Sequence, residues 1–161
     1  MPTTKRAAPD ACSLLDADHR TVKKLFGDYE TLTNSKAASA AQKKRDLAKE
    51  ICMELTVHAR IEEEIFYPAL REAIKDTDLL DEAEVEHGTA KELIGKLDEM
   101  SADDEMFDAN FTVLAEYIEH HVKEEEGELF PKVRKSDLDL EALGEQMVAR
   151  KDELTAELEP A

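Results

Sequence analysis

The chain has 161 residues, enough for one continuous core and too few for two full-sized domains. Its formal net charge of -18 argues against nucleic acid and against an anionic membrane surface as partners, because both call for a concentrated basic face. Five Gly, five Pro and no Trp, beside abundant Ala, Leu, Glu and Lys, favour long helices over strands.

Residues 1–12 read as a flexible N-terminal arm carrying Pro2 and Pro9. No apolar run follows Lys5 and Arg6, so no secretory signal is expected. Nor does any segment approach the roughly 18 apolar residues of a membrane span. A first helix is predicted from about Ser13 to Leu32, and His19 falls on its apolar stripe of Leu15, Val22, Phe26 and Tyr29. After a loop of small and polar residues, a second helix runs from about Ala41 past Tyr67, with Leu47, Ile51, Leu55, His58, Glu62 and Ile65 on one face. The third spans about Leu79 to Met100, on the stripe Leu80, Ala83, His87, Ala90, Ile94 and Leu97. Ser101 then opens a turn and a capping box with Asp104. The fourth spans about Glu105 to Val133, on the stripe Phe107, Leu114, Tyr117, His121, Glu125 and Leu129. From Asp137 to Leu158 a fifth, shorter amphipathic helix is expected, on Leu140, Leu143, Met147 and Leu154.

Turns this short favour antiparallel neighbours. The expected architecture is therefore all-α: an up-down-up-down four-helix bundle over residues 13–135, with an additional short C-terminal helix and tail over 136–161. Cys12 and Cys52 precede His19 and His58 by seven and six residues on helices that run in opposite directions. That separates them by roughly 20 Å at 1.5 Å per residue, beyond disulfide reach. Free thiols and a reducing, cytoplasmic setting are expected.

The chain repeats itself. His58-Ala-Arg-Ile-Glu62-Glu63-Glu-Ile-Phe-Tyr-Pro68 on the second helix parallels His121-Val-Lys-Glu-Glu125-Glu126-Gly-Glu-Leu-Phe-Pro131 on the fourth. The first and third match as well, Asp18-His19-Arg-Thr21 against Glu86-His87-Gly-Thr89. Two related hairpins about a pseudo-two-fold axis follow. Residues four apart share a helix face, so His58 points with Glu62 and His121 with Glu125, all toward the core. An ionised Glu in a core is costly unless something compensates it, and two facing each other repel. A pair of metal ions resolves both problems, and four imidazoles with two carboxylates suit iron, or manganese, better than calcium or a thiolate-loving metal. Taken singly, each feature has a plainer reading: an interior His is usually a hydrogen-bonded core residue, and His-x-x-x-Glu is a common surface pair. The duplicated set is what points to metal. His120 points about 100° away from His121 and reads as non-ligating. Glu63, Glu64, Glu124 and Glu126 read as solvated, and Tyr117, one turn before His121, as core packing or a donor behind that ring. Pro68 and Pro131 read as helix terminators or kinks.

At these residues the chain resembles the hemerythrin-like family of HHE cation-binding domains, over roughly Leu14 to Val133. The pattern is His19, His58-x-x-x-Glu62, His87, His121-x-x-x-Glu125. The resemblance implies a non-haem di-iron centre with two terminal histidines per iron, bridging Glu62 and Glu125, and an oxo, hydroxo or solvent bridge. It also implies a diatomic ligand or peroxide as the partner. Two departures separate the chain from the oxygen-carrying members. Lys91 stands where they have a second His one turn after the third-helix His, and the fourth-helix carboxylate is Glu125, four residues after His121, instead of an Asp five after. The irons then become more alike and more open, and Glu63, Glu126 or Lys91 can fill part of the gap. Reaction with or sensing of oxygen, hydrogen peroxide or nitric oxide is the favoured expectation. Iron storage without turnover and reversible oxygen binding are the alternatives, and a plain helical interaction module is the metal-free one.

Overall fold

The computed structural model describes residues 9–75, 77–101 and 104–158. Among these, every regular element is helical. The expected arm lies for residues 1–8 outside the described residues, and so does the tail at 159–161. Helix α1 (Ala11–Thr33) begins two residues earlier than expected, because Asp10 takes an extended conformation and its carboxylate accepts the Ser13 N–H at 2.8 Å. Helix α2 (Ala40–Ile61) follows, then a π-turn (Glu62–Phe66) and α3 (Tyr67–Ala73), forming one continuous rod. Helix α4 (Asp78–Glu99) is the third rod. The fourth repeats the second: α5 (Glu105–Glu124), a π-turn (Glu125–Leu129) and α6 (Phe130–Arg134). Helix α7 (Leu140–Leu158) closes the described chain. Asp104, not Ser101, caps α5 with its side chain, accepting the Met106 N–H at 2.9 Å from an extended backbone.

The two interior prolines do not end their helices. Each follows a π-turn closed by an i→i+5 bond, from Tyr67 N–H to Glu62 O and from Phe130 N–H to Glu125 O. The residue before a proline is normally disfavoured in the helical region. Tyr67 nevertheless keeps φ -63 and ψ -42. The wider turn moves the preceding carbonyls off the proline ring, and the missing N–H falls in the first turn of the next helical segment, where it is not needed.

α1 packs on α2 and α4 on α5, giving the two expected hairpins, while α7 lies across α1, α2 and the first π-turn. Gly144 allows that contact, since a Cβ there would collide with the Pro9 carbonyl oxygen. The core is in two parts. One contains Leu15, Ile61, Phe66, Leu70, Leu80, Phe130 and Met147; the other contains Val22, Ile51, Leu55, Leu97, Phe111 and Leu114. Cys12 belongs to the first and Cys52 to the second, and both are free thiols. Burying side chains such as Phe66, Phe111 and Phe130 contributes roughly 1.5–3 kcal/mol each. Between the two apolar parts lies a polar layer crossing all four rods: His19, His58, Glu62, His87, His121 and Glu125, all buried. No helix among the described residues is long and apolar enough to cross a membrane.

Candidate metal centre

Each rod contributes one histidine to the layer, and the second and fourth rods each add a glutamate one turn on. The imidazoles form two pairs, His19 with His58 (ring centroids 4.9 Å apart) and His87 with His121 (5.0 Å). The carboxylates lie between the pairs, and each touches one ring of both. Glu62 Oε1 is 2.8 Å from His58 Nε2 and 3.5 Å from His87 Nε2. Glu125 reaches His19 Nε2 at 3.3 Å through Oε1 and His121 Nε2 at 3.0 Å through Oε2. Donor atoms of His19, His58 and Glu125 all lie within 4.8 Å of one another, as do those of Glu62, His87 and His121.

Several of these atoms are buried and lack any hydrogen bond: His19 Nε2, His58 Nε2, both Glu62 oxygens and Glu125 Oε1. Orphaned buried polar atoms are rare, and here they converge on one place. Short contacts without hydrogen-bond alignment mean lone pairs aimed into shared space. The donors fall into two cation-sized groups, each of two imidazoles and one carboxylate.

Behind every imidazole stands a carboxylate on its Nδ1 side. Glu126 Oε1 is 3.0 Å from His19 Nδ1, and Asp18 Oδ2 is 3.0 Å from His58 Nδ1. In the second half, Glu86 Oε2 is 3.4 Å from His121 Nδ1 and Glu63 Oε1 is 3.7 Å from His87 Nδ1. The last is longer because Glu63 also pairs with Lys91. In the first two pairs a hydrogen bond holds the proton on Nδ1 and leaves Nε2 free to ligate, whereas His87 Nδ1 and Glu86 Oε2 make ion-pair contacts without a hydrogen bond. The arrangement obeys the repeat: the residue before His19 or His87 supports the other hairpin helix's histidine, and the residue after Glu62 or Glu125 supports a histidine of the opposite hairpin. Asp18 is further held by an ion pair with Lys151 of α7.

Within the cluster, neighbouring charges oppose the effect of burial. Burial depresses the His58 pKa, but the Glu62 charge and the Asp18 hydrogen bond outweigh it, pushing it up to about 10. For His121 burial again acts downward, and Glu125 and Glu86 reverse it, to about 11. Burial would raise Glu62, yet the facing His58 and His87 hold it well below the usual carboxylate range.

Among residues singled out from sequence, Glu63 and Glu126 stand behind ligand rings instead of in solvent alone, and Lys91 reaches Glu63, not the layer. His120 is turned outward, its side chain 66% exposed and paired with Glu124. Tyr117 is 37% exposed on a cavity wall; the hydroxyl inside the site belongs to Tyr67. Tyr67 donates to Glu125 Oε2 at 2.8 Å, and its oxygen lies 3.3 Å and 3.4 Å from Nε2 of His87 and His121. Its counterpart in the repeat, Phe130, stacks on His19 at 6.2 Å and 6°. Asp18, Glu86 and Tyr67 went unrecognised in the sequence. The Asp18-His19 and Glu86-His87 pairing was a usable signal for the first two.

A cavity of about 480 Å³ opens between α2, α4 and α5 and reaches His87 and His121, but not His19 or His58.

Fold and site together define a helical-bundle protein with a buried histidine–carboxylate cation site. The sequence profile of the hemerythrin HHE cation-binding domain matches residues 10–133, and the chain belongs to that family as a metal-binding, hemerythrin-like protein. It is similar to the protein Rv2633c of Mycobacterium tuberculosis, with 28% identity over 139 residues, covering 84% of this chain and 82% of that one. The crystal structure of an HHE cation-binding domain protein from Mycobacterium kansasii, a homologue of Rv2633c, superposes with a TM-score of 0.75 at 26% identity, covering 92% and 89% of the two chains. A protein of Nostoc sp. (strain PCC 7120) named DNA nickase is 30% identical over 117 residues; the match takes in 73% of this chain and only 31% of the nickase.

Proposed function

We propose that this chain holds two iron ions through His19, His58, Glu62, His87, His121 and Glu125, and reacts with or senses small oxidants: oxygen, hydrogen peroxide or nitric oxide. Manganese is the alternative metal for the same nitrogen and oxygen donors. The supporting observation is the pair of carboxylates that each face one histidine of both pairs, with their inward atoms unbonded. Iron held there supplies one-electron redox change and open coordination positions. The chain's own residues do the rest. Asp18 and Glu126 fix the tautomers of His58 and His19 by hydrogen bonds, and Glu86 and Glu63 lie close behind His121 and His87. Phe130 covers His19 with an apolar face. Tyr67 holds a proton on its hydroxyl against Glu125, beside His87 and His121, and burial keeps its pKa well above the ordinary value. It is the protic group placed to donate to a reduced oxygen species on that side. The two unpaired cysteines suit a reducing, cytoplasmic setting.

Metal analysis of protein purified without chelator or a metal-binding tag tests the reading. About two irons per chain are expected, and His58→Ala should lose at least one. No metal after anaerobic ferrous reconstitution would overturn it. Peroxide decomposition over many turnovers separates oxidant chemistry from storage, which predicts ready iron exchange, and from carriage, which predicts oxygen released intact.

A further inference from the structure

The cavity beside the site is far larger than a small oxidant requires. Its volume of about 480 Å³ lies in the range typical of sites for small organic molecules, whereas a diatomic occupies on the order of one water's share, about 30 Å³. Its walls are aliphatic: Leu55, Ala59, Ala90, Ile94 and Ile118, with bare Gly95 leaving one side open. The inner end is polar, formed by His87 and His121. Charged groups line the rest, and its cations are already matched. Lys91 pairs with Glu63, Arg60 with Glu64 and His121 with Glu86, while Asp98 adds a further carboxylate. Together with the net charge of -18, this disfavours an anionic guest.

We infer that the cavity between α2, α4 and α5 binds a neutral organic molecule with an apolar body of about ten non-hydrogen atoms and one oxygen-bearing end, the latter seated at His87 and His121. The inference names the substrate class of the metal site and rests on the proposed function for its chemistry, though not for the binding itself. It also makes the two halves unequal. Such a guest meets the His87/His121 side, where Tyr67 stands, and cannot reach the His19/His58 side, which lies outside the cavity.

The test is calorimetric titration of the purified full chain with 2-phenylpropan-2-ol, a neutral ten-atom probe of this shape, with metal content measured on the same sample. Saturable one-to-one binding is expected. Gly95→Leu should weaken it at least tenfold, because its side chain enters open space and stays on an exposed helix position; Ala90→Phe should do the same by filling the wall. Thermal melts report whether either variant is folded. The anionic analogue 4-isopropylbenzoate should bind at least tenfold more weakly than the alcohol. No saturation by the neutral probe, binding unchanged in folded Gly95→Leu, or tighter binding of the benzoate would each overturn the proposal. A chain with two metals that ignores the probe refutes the substrate class alone. A chain that binds the probe but never metal refutes the function above and leaves the cavity assignment standing.

Discussion

Single residues decide how the cluster presents its lone pairs. Asp18 and Glu86 each lie one position before a buried histidine of the layer yet face the histidine of the neighbouring helix. Replacing Asp18 by Asn or Glu86 by Gln should weaken metal affinity about 10- to 100-fold without unfolding the bundle, as competition with a chromogenic chelator would reveal. Tyr67→Phe should retain both metals, since Phe130 shows that a phenyl ring is accepted at the equivalent position. If Tyr67 supplies a proton, peroxide turnover in that variant should fall about 100-fold in stopped-flow assays, and unchanged turnover would remove it from the reaction. The sequence made the inward His and Glu residues readable because i,i+4 spacing is a local rule. It hid Tyr67 because that rule assumes an uninterrupted α-helix. Five residues along an α-helix rotate a side chain about 140° away, whereas the i→i+5 closure after Glu62 brings Tyr67 back over it. It hid Asp18 and Glu86 because their partners lie across the helix interface, where no single-helix periodicity reaches.

At the scale of elements, the four rods and their order were legible from apolar stripes and short turns, and so was the fifth helix. The uninterrupted passage through Pro68 and Pro131 was not, because proline's local preference argues for a stop and only the π-turn removes the clash. Helix α7 is more than a cover. Lys151 pairs with Asp18, and Arg150 engages Glu64, so the helix reaches the carboxylate that orients His58. In the other half Glu86 faces His121 first, then Glu124 and His120. Docking of α7 depends on the bare Cα of Gly144 against Pro9. Gly144→Ala should destabilise by about 1–3 kcal/mol, because backbone, unlike a flexible side chain, cannot yield cheaply. With roughly 2–4 °C per kcal/mol in chains of this size, a melt lowered by several degrees is the expected reading, and an unchanged melt would mean that the contact is not held in solution.

For the molecule as a whole, pH acts in opposite senses on the fold and on the proposed metal loading. His58 and His121 carry folded-state pKa values of about 10 and about 11, above their unfolded value near 6.5. Their stabilisation is therefore complete below about pH 6.5 and is lost as pH rises toward 10 and beyond. Ligation requires neutral imidazoles, so loading at pH 7 should expel roughly two protons per metal pair from these two residues, and affinity should climb with pH across the neutral range. Titrating ferrous ion anaerobically into weakly buffered protein with a pH indicator measures this directly; loading without proton release would contradict it. The crossed carboxylates have one more consequence. The His19/His58 pair takes Glu125 from the second hairpin, and the His87/His121 pair takes Glu62 from the first. Each of these two buried groups draws donors from both hairpins, so ions held as proposed would act as a seam that can be sewn only once both halves have come together. Two copies of a single such hairpin, facing each other about a two-fold axis, would compose the same six donors. The duplicated chain thus carries within one polypeptide the symmetry of a dimer, with Tyr67 opposite Phe130 marking where the halves have ceased to be twins.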